Sequence, residues 1–209
     1  MLKIGLTGNI GSGKTMVSGI FTALGIPVYH ADDESKKFLE DPAVKDGIVN
    51  LFGAGILTGS GKVDRRALAS VVFNDRHALQ KLDGMLHPKV MTGFREWAER
   101  RQDKPYLMME AAILFESGYS GDCDYIIHVS CPKEIAIARV VKRDRVDGNS
   151  VIRRMQFQLS DEEKMRLADF VIRNDGSGLV IPQVLSIHGQ LLQSCTEGND
   201  EIAPGRTDA

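Results

Sequence analysis

Short apolar stretches recur along the chain at Leu2–Leu6, Pro27–Tyr29, Tyr106–Met109, Tyr125–Val129 and Phe170–Ile172. Each is too short for a helix and almost unbroken in hydrophobicity, as in Tyr125-Ile126-Ile127-His128-Val129. A strand with one wet face alternates apolar and polar residues, whereas a strand covered on both faces does not. The segments between them place their apolar residues three and four apart, the helical period. The alternation of the two patterns predicts an α/β fold, a parallel sheet with right-handed crossovers and flanking helices. Within such a strand His128 reads as a structural imidazole, hydrogen-bonded in or beside the core.

The stretch from Glu34 to Lys104 exceeds an ordinary crossover and predicts a mostly helical insertion between the second and third strands. Gly53, Gly55, Gly59 and Gly61 interrupt it, and Asp64 is placed to cap a helix running to about Phe73. A longer helix is expected over Arg76–Arg101, bent or broken at His87-Pro88. After the fourth strand, Pro132 opens a helix whose later turns carry Arg139, Lys142, Arg143 and Arg145, with Arg153 and Arg154 beyond. A last amphipathic helix, with Leu179, Val180, Val184, Leu185, Ile187, Leu191 and Leu192, is expected to pack on the sheet. The polar tail after it is expected to be disordered.

Between the first strand and the first helix lies Gly8-Asn9-Ile10-Gly11-Ser12-Gly13-Lys14-Thr15, which fits G-x-x-x-x-G-K-[ST]. Glycines let successive backbone N–H groups turn toward a phosphate chain, Lys14 can reach the terminal phosphates, and the Thr15 hydroxyl can join a Mg²⁺ shell. The helix that follows adds its positive N-terminal end. Strand, loop and helix stand in the required order, so Gly8, Asn9, Gly11, Ser12, Gly13, Lys14, Thr15 and Met16 are the candidate nucleotide-binding residues. The motif leaves the acceptor of the phosphate open.

Ligands of open α/β sheets bind outside the C-terminal ends of the strands, which singles out acids there. Asp32 and Asp33 follow the second strand; one can accept a hydroxyl proton and the other cap the next helix, and Asp32 is assigned to chemistry and Asp33 to capping. Glu110 ends the third strand, where a carboxylate can hold Mg²⁺ through water or simply accept structural hydrogen bonds. Arg139 and Arg143, four apart, share a helix face and can grip phosphates together or form a solvated basic face. His87 can bond an acceptor or fix the kink at Pro88, and Phe115 reads as core or pocket wall.

Composition narrows the class. The chain has 209 residues, enough for one core with a smaller insertion, and its 26 basic against 28 acidic residues argue against broad attraction to nucleic acid. Cys123, Cys131 and Cys195 have no C-x-x-C spacing, so reduced thiols are expected rather than a disulfide framework or zinc site. A strand beginning almost at Met1 leaves no room for a signal peptide, and no apolar run is long enough for a bilayer; a cytoplasmic protein is expected. A GTP-driven switch would want N-K-x-D, which is absent, and a D-x-x-G after the third strand; the latter occurs only at Asp175-Gly176-Ser177-Gly178, past the last strand.

The chain resembles the dephospho-coenzyme A kinases nearly end to end. The residues that carry the likeness are Leu6-Thr7-Gly8 through Lys14-Thr15, Val28-Tyr29-His30-Ala31-Asp32, Phe52-Gly53 with Ile56-Leu57, Val63-Asp64-Arg65 and Val72-Phe73. It continues through His87-Pro88, Ile113-Leu114-Phe115-Glu116, Arg139, Arg143, Gln156, Lys164, Ala168-Asp169 and Val171-Ile172-Arg173-Asn174. His30 stands where that family's pattern has Asp, and Glu110 with Ala112 where it has Asp and Pro.

The resemblance implies transfer of the ATP γ-phosphate to the ribose 3′-hydroxyl of dephospho-coenzyme A, with Mg²⁺ as cofactor. It implies Asp32 as base, Lys14, Arg139 and Arg143 as charge-neutralising catalytic residues, and Asn174 as a further ATP contact. Asp32, Arg65, His87 and Phe115 would meet the acceptor, and Thr15 and Glu110 the metal. It also implies a P-loop core over residues 1–58, 104–138 and 165–195, a helical acceptor-binding insertion over 59–103, a lid over 139–164 and a tail at 196–209. The partners expected are small molecules, with no nucleic acid, membrane or obligate protein partner. Another P-loop kinase, acting on a nucleoside or nucleotide, is the alternative.

Overall fold

A computed structural model describes residues 1–197. In chain order the elements are β1 (Leu2–Thr7), α1 (Lys14–Ala23), β2 (Val28–His30), α2 (Ala31–Phe38), α3 (Pro42–Phe52), α4 (Arg65–Val72) and α5 (Arg76–Glu99). They continue with β3 (Tyr106–Glu110), β4 (Tyr125–Ser130), α6 (Lys133–Asp144), α7 (Gly148–Met155), α8 (Asp161–Leu167), β5 (Phe170–Arg173) and α9 (Val180–Glu197). The chain divides into two compact units, one built from Met1–His30 together with the chain from Trp97 onward, the other from Ala31–Glu96.

The first unit is built on a five-stranded sheet of order β2-β3-β1-β4-β5, every neighbouring pair parallel. β1 lies at its centre, with Leu6 opposite Glu110 on one side and Ile127 on the other. On one face Leu2, Ile4, Leu6, Met108, Ile127, Val129 and Ile172 pack against Val17 and Phe21 of α1 and Val184, Ile187 and Leu191 of α9. Both faces of the central strands are buried, which is why they read as unbroken apolar runs.

α9 packs on the sheet as expected, through Val184, Ile187 and Leu191 with Val180 partly buried beside them, while Leu179, Leu185 and Leu192 are exposed. Leu185 and Leu192 each follow a buried residue by one position, about 100° further round the helix, so they turn off the sheet-facing stripe. The helix runs to Glu197, so Thr196 and Glu197 are not part of a disordered tail; residues 198–209 lie outside those described. Cys123, Cys131 and Cys195 are free thiols, as expected. Among the described residues no helix is long and apolar enough to cross a membrane.

The second unit has its own core of Leu39, Val44, Ile48, Ile56, Val63, Leu68, Val72, Ala78, Leu82 and Leu86. Because Leu39, Val44 and Ile48 belong to that core, α2 and α3 group with the helical unit and its boundary falls at Ala31 rather than at 59. Asp41 caps α3 by accepting from Val44 N at 3.1 Å, and its other oxygen takes Lys89 Nζ at 3.2 Å. Asp64 caps α4, accepting from Arg66 N at 2.8 Å and Ala67 N at 3.1 Å. α5 continues through Pro88 without a break. Proline cannot donate to the carbonyl four residues back, but that carbonyl belongs to the exposed Gly84, so water can satisfy it and no side chain crowds the ring.

Candidate active site

The loop between β1 and α1 takes the shape its glycines permit. Gly11 (φ 83°) and Gly13 (φ 101°) are left-handed, and a Cβ at Gly13 would collide with the Asn174 amide. No side chain caps α1 and its first turn carries no acid, which leaves the positive end of the helix to an anion. Thr7 Oγ1, Asn9 Oδ1 and Ser12 Oγ are buried at this loop without a partner in the protein. Groups of that kind are costly unless something meets them, and phosphate oxygens would accept from the two hydroxyls. Lys14 is buried and folds back, its Nζ 2.8 Å from Gly8 O, so the cation is held by the loop that it would share with a phosphate.

Other parts of the first unit hold this loop. Asn174, just past β5, donates from Nδ2 to Ser12 O at 2.7 Å. Arg139 of α6 makes long contacts of 3.5 Å to Ser12 O and Asn174 Oδ1, and lies 3.3 Å from Cys131 Sγ. Burial pushes the Cys131 thiol up, against the pull of the Arg139 cation. Arg143, one turn on, is exposed and forms a two-point pair with Asp144, at 2.6 and 3.0 Å. The structure therefore brings Arg139 to the phosphate loop and leaves Arg143 outside it.

Glu110 is buried at the end of β3 and is the hub of a second cluster. Its Oε2 accepts from Ser18 Oγ at 2.8 Å and lies 2.7 Å from His30 Nδ1; its Oε1 is 3.4 Å from Thr15 Oγ1. Ser18 and His30 thus pin one oxygen and leave the other facing Thr15. A hydroxyl and a single carboxylate oxygen are hard donors that suit Mg²⁺, which keeps most of its shell for phosphate and water. Among the described residues no three His, Cys, Asp or Glu side chains form a metal cage.

The dephospho-CoA kinase family model matches residues 2–179. The chain belongs to that family. It is 39% identical over 193 residues to a dephospho-CoA kinase of Bacteroides fragilis strain YCH46, covering 92% of this chain and 94% of the relative. It is 37% identical over 177 residues to one of Fusobacterium nucleatum, covering 85% and 91%. Among solved structures, it is similar to TT1252 from Thermus thermophilus, with TM-score 0.80, 32% identity and coverage of 90% of this chain and 96% of that one. A dephospho-CoA kinase from Campylobacter jejuni gives TM-score 0.64 at 27% identity, over 95% and 98% of the two chains. The parallel sheet with a phosphate loop between β1 and α1 is the P-loop kinase fold.

Other site residues expected of a dephospho-CoA kinase are placed as follows. Asp32 is exposed in the first turn of α2. Asp33 is the third residue of that helix and pairs with Lys36 at 2.7 Å, so it does not stand at the N-cap; α2 already begins at Ala31, and Asp33 instead favours its positive end. Arg65, the first residue of α4, reaches the Lys36 carbonyl of α2 at 3.2 Å. His87 is half-buried on α5 beside Pro88. Phe115 is half-buried in the turns after β3, and Met16 is exposed at the start of α1. His128 is fully buried with Nε2 2.8 Å from Asp161 Oδ1, the structural role expected of it. Burial raises the Asp161 carboxyl, but the hydrogen bonds from His128 and Ser130 outweigh it and hold the group below the usual range.

The sequence reading missed Gln158. The neighbouring Gln156 carried the family likeness, yet it is exposed at the end of α7. Gln158 instead accepts from Ile10 N and donates to Ala112 O, both at 3.0 Å. No local pattern marks it, because its partners are 148 and 46 residues away.

Proposed function

We propose that this chain moves the γ-phosphoryl group of ATP to the ribose 3′-hydroxyl of dephospho-CoA, giving CoA and ADP, with Asp32 as general base. The outline, ATP-dependent phosphorylation of a dephospho-CoA hydroxyl in coenzyme A biosynthesis, follows from family membership. The observation that carries the donor half is the uncapped α1 N-terminus, with the buried, unpartnered Thr7 and Ser12 hydroxyls before it.

In this reading the loop amides and Lys14 hold the β- and γ-phosphates. Lys14 exchanges the Gly8 carbonyl for phosphate oxygens and follows the charge that shifts onto the leaving ADP. Gly8, Asn9, Gly11, Ser12, Gly13, Thr15 and Met16 line the donor, and Asn174 and Arg139 keep the Ser12 carbonyl turned away from it. As the 3′-oxygen forms its bond to phosphorus and the bond to the β-phosphate oxygen breaks, the hydroxyl proton passes to Asp32. Thr15 and Glu110 would hold Mg²⁺, which would supply charge neutralisation for the phosphates. Asp32, Arg65 and His87, which belong to the helical unit, are assigned to the acceptor, as is Phe115.

The lid of the reading is α7 with its flanking loops. α6 is unbroken from Lys133 to Asp144, so a hinge at 139 would have to break helix hydrogen bonds; the chain turns instead at Arg145, whose φ of 54° is left-handed. Arg143 stands next to that turn and would leave Asp144 for the donor when the lid closes. The enzyme is taken to work in the cytoplasm on small molecules, without nucleic acid, membrane or an obligate protein partner.

The test is direct. Purified protein is incubated with ATP, Mg²⁺ and a panel of dephospho-CoA, nucleosides and nucleoside monophosphates, and each product is identified by mass. Dephospho-CoA should gain one phosphate fastest; faster turnover of a nucleoside monophosphate would overturn the acceptor assignment.

A further inference from the structure

Glu116 and Lys164 stand out in the sequence, yet neither has a part in the chemistry above. Lys164 is a fully buried cation on α8, and its Nζ lies 2.8 Å from Ala112 O and 2.9 Å from Glu116 Oε1. The same Glu116 oxygen accepts from Leu159 N at 2.7 Å. Burying a lysine is costly, and such a pair seldom stabilises a fold more than apolar packing would; its worth lies in fixing one arrangement. What it fixes here is the Ala112 carbonyl and the chain at Leu159, next to Gln158.

Gln158 connects this knot to the phosphate loop. Its Nε2 donates to the Ala112 carbonyl that Lys164 also holds, and its Oε1 accepts from the Ile10 amide. A carboxamide supplies a donor and an acceptor on one rigid plane, so fixing one end aims the other. The loop is therefore gripped on two limbs: Ser12 through its carbonyl by Asn174, and Ile10 through its amide by Gln158. Ile10 N–H is thereby directed at protein and not at phosphate.

We propose that Gln158 is a positioning residue for ATP: braced by Lys164 and Glu116, it holds the Ile10 limb of the phosphate loop in its binding shape before the nucleotide arrives. The proposal rests on the reading of this loop as the ATP site. Pre-forming the loop removes part of the ordering cost that binding would otherwise carry. The brace also anchors the chain just after α7.

The experiment compares Gln158→Glu, Gln158→Met and Gln158→Asn in the full chain. Glutamate keeps the acceptor for Ile10, methionine keeps the length without either bond, and asparagine is one methylene too short to span both partners. Affinity for a nonhydrolysable ATP analogue with Mg²⁺ is measured by calorimetry, and exchange of the Ile10 amide by NMR. Met and Asn should weaken the analogue about tenfold, the scale of one lost hydrogen bond, and speed Ile10 exchange, while Glu, which keeps the acceptor for Ile10 but loses the donor to Ala112, should fall between them and wild type. If Met does not fold, the contrast of Asn with Glu decides. A merely structural glutamine would lower thermal stability and leave analogue affinity unchanged. That result, or equal losses in Glu and Asn, overturns the proposal. No analogue binding by the wild type would instead overturn the ATP-site reading.

Discussion

His30 Nδ1 lies 2.7 Å from Glu110 Oε2, across the register in which these residues sit opposite each other on β2 and β3. An ionised carboxylate only accepts, so Nδ1 is the protonated ring nitrogen. Together with Ser18 it turns Glu110 so that Oε1 faces Thr15. The glutamate arm is thus held by its cross-strand neighbour.

His30→Ala should lower the affinity of Mn²⁺ for the protein–ADP complex about tenfold, the low end for loss of a group that orients a metal-facing carboxylate. His30→Asn places an amide donor near the Nδ1 position and should restore most of it. Titration of free Mn²⁺ by electron paramagnetic resonance reads both. An alanine variant that binds Mn²⁺ as tightly as wild type would detach His30 from the metal.

The two acids after β2 should behave differently. Asp32→Asn keeps the shape but cannot take a proton, and should lower kcat on the order of 10²–10⁴-fold with ATP affinity retained. Asp33, paired with Lys36 on an exposed helix surface, should tolerate asparagine with little change. Steady-state kinetics giving the reverse ranking would move the base from position 32 to 33.

Arg139 and Arg143 should also separate. Arg139 already touches the carbonyl of Ser12, so Arg139→Ala should raise KM for ATP as well as lower kcat. Arg143 is held by Asp144, so its alanine variant should lose kcat alone, by about 10²-fold, the scale of one donor made only in the transition state. Equal KM effects from the two variants would contradict the difference in placement.

The strands were legible because burial on both faces leaves a mark on every residue of a short run. The phosphate loop was legible because its parts are contiguous. The Gln158 brace and the His30–Glu110 pair join residues 148 and 80 positions apart, and no local pattern announces such meetings. Helix α5 is not broken at Pro88, because the cost of proline depends on what holds the carbonyl one turn back, here an exposed glycine. The extent of the helical unit was misjudged because Leu39, Val44 and Ile48 look like any helical face until their partners are known.

Asp83 gives a pH signature. Burial pushes its carboxyl from 3.8 up to about 6. The folded state therefore holds a proton that the unfolded chain has released, so the contribution to stability is complete below the unfolded pKa of 3.8 and is lost as pH rises through about 6. Asp83→Asn should remove this loss, raising Tm relative to wild type at neutral pH and narrowing the gap toward pH 4. Thermal unfolding across that range checks it; parallel Tm curves would contradict the shifted carboxyl.

The central claim concerns which oxygen receives the phosphate. The most direct measurement is phosphorus–proton correlation NMR of the product formed from ATP and dephospho-CoA. A new phosphomonoester coupled to the ribose H3′ is predicted. Coupling to H2′, or no transfer with ATP and Mg²⁺ present, would contradict it.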